Sequence, residues 1–382
     1  MTAGSQSVRE AHHLTPGERR RECCGERRTS SALRAVLVVG LATVLVVGVV
    51  GLVGKAADFS RMLDALRAAD WTWLALCLPG VIAAYVGYIA AYRDAARVGE
   101  GPELPYRVAG GVVTVGFGAF VVGSAAGGLA FNYWALHRAG APRREAVRRV
   151  LGLATLQWLA LGVAAALAAA ASLVGGGSAP VAMSLAWLTA VSLCIALAAY
   201  LTSPRRARRL TVEPSSPPRR RGLRGLGGWT RYVLRESLAD ALGGVLYVRL
   251  LLTSPRRYPS GVLGYPVYWA GHLLCLYSGL RAFGVHIGLA SLVLAFATGY
   301  VATSLPLPAG GTGGIEAAMT YALHAVGVAL APALLGVLVY RLFIFWLPIV
   351  PAVALLPALR HLGAKLDAVP RAPRPREVAT PA

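Results

Sequence analysis

The stretch SLPLPAGGTGGIEAAMTYALHAVG, residues 304–327, follows about twenty apolar residues that read as an ordinary membrane span. Pro306 and Pro308 donate no backbone hydrogen bond, and Gly310, Gly311, Gly313 and Gly314 are poor helix formers. Within hydrocarbon each unpaired backbone group costs several kcal/mol, so broken backbone persists only inside protein or beside a watery cavity. The stretch therefore predicts a membrane protein with an interior, and these six residues are the candidate structural break.

Composition agrees. Of 382 residues, 56% are hydrophobic and 14% charged, against roughly 25% charged in soluble domains. Apolar runs long enough to span a bilayer recur along the chain, which marks an all-α polytopic integral membrane protein. The net charge of +21 would suggest nucleic acid in a soluble protein. Here the arginines gather at the ends of apolar segments, as topology signals do, so no nucleic-acid partner is expected. Three of the five cysteines, Cys77, Cys194 and Cys275, lie in apolar segments, and Cys23–Cys24 lack metal-ligand spacing; no metal or cofactor site is expected. The arginine- and alanine-rich composition suggests a bacterial protein. With no apolar core near the start, the first span reads as a retained anchor.

The spans fall at 33–54, 73–92, 150–174, 181–201, 261–281 and 286–305, with an apolar tract at 329–360 interrupted by Pro348, Pro351 and Pro357. This suggests about eight transmembrane helices and two re-entrant or broken segments, at 108–136 and in the stretch 304–327. Residues 1–32 and 361–382 read as basic disordered tails flanking a membrane domain at 33–360. Phe59, Met62, Leu63 and Leu66 sit opposite Asp58, Arg61 and Asp64, the pattern of a short interfacial helix. Residues 138–149 hold five arginines and residues 202–231 hold nine. Both loops belong on the cytoplasmic side, as do both termini. The 29 residues of 108–136 must then enter and leave on one side, as half-helices broken near Gly123–Gly128. Residues 231–252 carry Arg235, Glu236, Asp240 and Arg249, and a helix on the cytoplasmic surface is preferred to a span there. The fragments LHRAG (136–140) and LHAVG (323–327) each end a glycine-rich dip and precede a span, as transporter repeats do.

Few side chains carry candidate chemistry. Glu316 starts a half-helix, either as an N-terminal acid on the helix dipole or as a carboxylate facing a cavity. Arg341 is its natural counter-charge, as a structural ion pair or as a ligand for lipid phosphate. Arg138, close to His137 and Asn132, is the matching candidate in the first half; its alternative is a topology charge. His272, His286 and His324 read as packing histidines. Ser124 and Ser304 lack a nucleophile frame, AGGTGGIE is not a P-loop, and no catalytic residue is assigned.

The segments CLYSGLRAFG (275–284), FATGYVATSLPLPAGGTGGIEAAMTYALHAVG and YRLFIFWLP (340–348) resemble the transmembrane-region family of lysylphosphatidylglycerol synthases. The family's Pro-Gly-Gly-x-Gly-x-x-Glu break corresponds to Pro308, Gly310, Gly311, Gly313 or Gly314, and Glu316, with Ala309 intervening. Tyr340, Arg341, Leu342, Trp346 and Pro348 occupy its second element. The acid–arginine pair often present in the next helix of the first half is absent, with Gln157 and Trp158 in its place. The resemblance implies a flippase-like membrane portion without the synthase domain. The expected function is movement of a lipid with a charged head group between leaflets of the bacterial inner (plasma) membrane. Substrate-binding residues would be Glu316, Arg341, Arg138, Tyr340 and Asn132, and a lipid-modifying enzyme would be a partner. The alternative is a non-transporting accessory subunit of cell-envelope lipid or glycolipid biosynthesis.

Overall fold

The computed structural model describes residue 48 and residues 59–203, 222–304 and 312–370. The expected first span at 33–54 apart from residue 48, residues 204–221 of the basic linker expected at 202–231, most of both tails, and Pro306, Pro308, Gly310 and Gly311 lie outside the described residues. The described chain is helical and contains no strand. The helices are α1 (Phe59–Arg67), α2 (Cys77–Arg97), α3 (Tyr106–Arg138), α4 (Arg143–Val174), α5 (Val181–Leu201), α6 (Gly222–Thr253), α7 (Pro259–Ala282), α8 (Leu289–Tyr300), α9 (Gly314–Ala325), α10 (Leu330–Arg341), α11 (Leu347–Ala354) and α12 (Leu359–Asp367). A 3-10 stretch leads into α2, another extends α8 to Ser304, and a π turn at Leu342–Trp346 joins α10 to α11. Four of these, Trp71–Arg97, Arg143–Val174, Val181–Leu201 and Leu330–Ala354, are long and apolar enough to cross a membrane.

The centre of the molecule is an antiparallel crossing of α2 and α7. Small residues let the two backbones touch, as they do where membrane helices pack without a hydrophobic drive. A Cβ placed on Gly87 would lie 2.5 Å from the Gly264 carbonyl oxygen and 2.6 Å from the Tyr268 nitrogen. One placed on Gly271 would lie 2.7 Å from the nitrogen of Ala84. The seam runs from Cys77, whose thiol is 3.8 Å from the Cys275 carbonyl, to Asp94, which accepts 2.6 Å bonds from the Gly261 N–H and the Ser260 hydroxyl. Because α7 follows α2 over its whole length, it crosses the same depth.

Helix α3 is helical throughout yet reverses direction. A straight helix would separate residues 116 and 132 by about 24 Å, at 1.5 Å per residue. Instead, a Cβ on Gly116 would lie 3.3 Å from the Phe131 ring and 3.5 Å from Asn132 Oδ1, and one on Gly127 would strike the Ala119 carbonyl. Both ends also reach α12, through Gly111 on Leu362 and Arg138 on Asp367. The segment enters and leaves on one face, as the arginine count requires.

The apolar run at 286–305 is not a span. Leu289–Ser304 is too short for one, and α9 folds back along it, with Gly299 against Met319. Residues 289–304 and 314–325 therefore form the two arms of a second hairpin. It enters from the face that holds the start of α2 and the end of α7, where the Asp70 N–H bonds the Ala282 carbonyl at 2.8 Å. The first hairpin enters from the opposite face, where Arg93 Nε bonds the Leu104 carbonyl at 3.0 Å.

The two halves repeat in detail. His137 Nδ1 donates to the Ala141 carbonyl at 3.0 Å, and His324 Nδ1 donates to the Val328 carbonyl at 3.0 Å. Gly140 and Gly327 follow at φ 101° and 98°, a left-handed conformation that favours glycine. The Ala141 N–H bonds Leu136 O and the Val328 N–H bonds Leu323 O, both at 3.1 Å. The same offset pairs the residues that precede α4 and α10, Pro142 with Ala329, and pairs Ala84 with Gly271, which touch at the central crossing. Equivalent helices run antiparallel, so the halves are inverted repeats about an axis through that contact.

Helix α6 is paired by the same offset with residues 35–66, most of which lie outside the described residues. Its charges meet the start of α4: Arg144 on Glu236 at 2.8 Å, Arg148 on Asp240 at 3.1 Å, and the Tyr247 hydroxyl on Glu145 at 3.0 Å. At its far end Arg249 donates to the Thr202 carbonyl at 2.9 Å, just past α5, and Leu251 packs beside Gly261 and Asp94. That end therefore lies on the arginine-rich face, which agrees with a surface helix rather than a span.

Candidate functional site

Between the hairpins, at the depth of the Ala84–Gly271 contact, lies a cavity of about 280 Å³. Phe117, Phe120 and Asn132 come from the first hairpin, Tyr300, Thr303 and Ile315 from the second. Helices α2 and α7 contribute Tyr85, Tyr88, Tyr268 and His272, α4 contributes Gln157 and Trp158, and α10 with the π turn contributes Tyr340, Arg341 and Phe345. Trp158 is 37% exposed and Ser304 is also exposed; both line the cavity and mark its mouth. Trp158 stands half-way along α4, which puts the mouth at mid-depth.

Arg341 is the one cationic side chain among the cavity's described lining residues and is 5% exposed. Its Nε donates to Glu316 Oε1 at 2.8 Å and its Nη2 reaches Thr312 Oγ1 at 3.3 Å. The guanidinium also stacks over Phe345, 4.0 Å from the ring centroid. A guanidinium has five N–H donors, so among the described residues Arg341 keeps donors in reserve at the cavity. Glu316 is fully buried and stands behind Arg341 rather than in the lining. Its second oxygen accepts from the Gly313 N–H at 2.6 Å, which closes the first turn of α9. Gly313 takes φ 86°, which glycine permits at no steric cost. Glu316 is therefore an N-terminal acid and the counter-charge of Arg341, and it does not face the cavity as its functional reading expected; Arg341 forms the ion pair and also lines the cavity.

Tyr340 and Asn132 join Arg341 around the cavity. The Tyr340 hydroxyl is 2.8 Å from His272 Nδ1. Asn132 is 6% exposed, and its Oδ1 has no partner among the described residues. Arg138 is not brought to this group: it stands at the outer end of α3, 2.9 Å from Asp367 and half exposed. Gly314 begins α9, on the buried side of the break.

The aromatic lining is absent from the sequence-level residue set. Tyr85, Tyr88, Tyr268 and Tyr300 lie on three helices, and no local pattern sets them apart from core aromatics. The available signal was Gln157–Trp158, which sits where the family's acid–arginine pair was sought and lines the cavity itself. Among the described residues no cluster of His, Cys, Asp or Glu could hold a metal ion.

No curated protein matches the sequence. The family model described as the lysylphosphatidylglycerol synthase TM region matches residues 36–352. That range contains both hairpins, the central crossing and the cavity, and the chain belongs to this family.

Proposed function

We propose that the protein moves a lipid between leaflets, with the head group passing through the cavity while the acyl chains stay in the surrounding lipid. The observation that carries this reading is the cavity at mid-depth, with Arg341 in its lining and a hairpin entering from each face. Half-helices that meet at mid-depth from opposite sides are the architecture on which alternating access is built. Rocking one hairpin against the other would open the cavity to one face at a time. Arg341 would take an anionic or hydroxyl-rich part of the head group, and Glu316 would hold the guanidinium in place. Tyr340 and Asn132 would contact the same head group. By the positive-inside rule the arginine-rich face would be cytoplasmic, and the protein would work in a bacterial plasma membrane.

The test is leaflet exchange of head-group-labelled lipids in liposomes containing the full chain. Wild type should accelerate exchange, and Arg341→Ala should return it to the protein-free rate at equal reconstitution. Wild-type exchange no faster than empty liposomes, across anionic, cationic and glycosylated lipids, would refute the reading and favour an accessory role.

A further inference from the structure

We infer that the cavity recognises a sugar on the lipid head group; the inference rests on the head-group reading above and names its chemical class.

The lining argues against the other head groups in turn. An ammonium group would meet the Arg341 guanidinium, and no carboxylate is among the cavity's described lining residues, both Glu316 oxygens being bound elsewhere. A head group bearing several phosphates would need several cations, and the one present is already shared with Glu316. An acyl chain would leave Asn132 Oδ1 and the Tyr85 hydroxyl, both without partners among the described residues, buried and unpaired. Each such group costs about 1–3 kcal/mol when left unsatisfied.

A pyranose fits all of these features. Its C–H faces are apolar and suit aromatic walls, here Tyr85, Tyr88, Trp158, Tyr268 and Tyr300. Its hydroxyl edges both donate and accept. Asn132 and Gln157 carry amides that do the same, and Asn132 presents a bare acceptor to the cavity. The remaining Arg341 donors suit ring hydroxyls or a phosphate joined to the sugar. At about 280 Å³ the cavity lies just below the roughly 300–1,000 Å³ of small-molecule sites. It has room for a single sugar and not for an extended glycan.

The test is equilibrium binding of tritiated short-chain lipids to the full-length protein in nanodiscs. The probes are a monohexosyl diacylglycerol, a short polyprenyl phosphate hexose, and phosphatidic acid as an anionic lipid without sugar. We expect at least one sugar lipid to bind at least tenfold more tightly than phosphatidic acid. Tighter binding of the neutral hexosyl lipid places Arg341 on hydroxyls; tighter binding of the phosphate hexose places it on the linking phosphate. Asn132→Leu and Trp158→Leu should each weaken sugar-lipid binding at least fivefold and weaken phosphatidic acid binding by a smaller factor. Trp158 is exposed at the mouth, so its variant folds even if Asn132→Leu does not. Phosphatidic acid binding as tightly as both sugar lipids, or Trp158→Leu without effect on them, would overturn the inference. Leaflet exchange is read separately: sugar-selective binding without exchange would remove transport and keep the sugar site, whereas exchange without sugar selectivity would do the reverse.

Discussion

The two hairpins are built alike and charged differently. Both end in the same histidine hook and positive-φ glycine, and both lead into a long helix. At the positions equivalent to Glu316 and Arg341, however, the first half has Leu129 and Ala154. All four residues lie around one axis, and Leu129, Ala154 and Arg341 all line the cavity. The repeated frame is therefore separable from the ion pair, and only one half carries a charge into the middle of the membrane. A cavity with one fixed charge can hold a polar group without trapping it between two.

That asymmetry can be broken at several levels. The largest effect belongs to the shared frame: Gly271→Leu drives a side chain into Ala84 and the Gly80 carbonyl. We expect loss of monodisperse protein on gel filtration, and so loss of both halves together. Next is the pair itself. Arg341→Ala leaves a buried carboxylate facing an empty place and should destabilise the fold by about 3–5 kcal/mol. Truncating its first-half equivalent, Ala154→Gly, should cost about 1 kcal/mol, the propensity difference within a helix. Thermal melting in detergent compares the two. The double variant Glu316→Leu/Arg341→Ala copies the first half into the second. It should melt close to wild type, because replacing both members of a buried pair is often neutral, while leaflet exchange is lost. Stability as low as that of the single variant would mean that the frame depends on the charges.

Smaller effects sharpen the equivalence. His137→Ala and His324→Ala each remove one hydrogen bond to a carbonyl, worth about 1 kcal/mol, and the two losses should agree within error in melting experiments. Smallest is Arg138→Ala, which breaks a half-exposed pair with Asp367 of the kind worth about 0–1 kcal/mol. Its second-half equivalent, Ala325, has no charge at all. The variant should exchange lipid at the wild-type rate.

The sequence revealed the frame better than the site. The glycine-rich reversal of α3 was legible because runs of glycine sit poorly inside a span. The same-side return of residues 106–138 was legible because arginines report sides. The hook was visible as LHRAG and LHAVG, although five residues alone could not establish a repeat. Residues 289–304 were misread as a span because a half-helix sheltered by protein is as apolar as a lipid-facing one, and hydropathy does not report where a helix turns back. The Glu316–Arg341 contact was foreseeable from charge pairing inside an apolar region. That Glu316 would stand behind Arg341, satisfied by its own helix start, depends on the Gly313 backbone and has no signature in residue types. The aromatic cavity was invisible for the same reason: its walls are drawn from residues nearly 260 positions apart, Tyr85 to Phe345.

The central claim is that two equivalent hairpins enter from opposite faces, and labelling at equivalent positions tests it most directly. In a cysteine-free background, Arg138→Cys and Ala325→Cys would each be treated with a membrane-impermeant maleimide, in intact cells and after permeabilisation. Both positions are exposed at the outer ends of their hairpins. The account predicts that position 325 reacts in intact cells and position 138 only after permeabilisation. Labelling of both from the same side would contradict the inverted architecture and, with it, the passage of a head group between the hairpins.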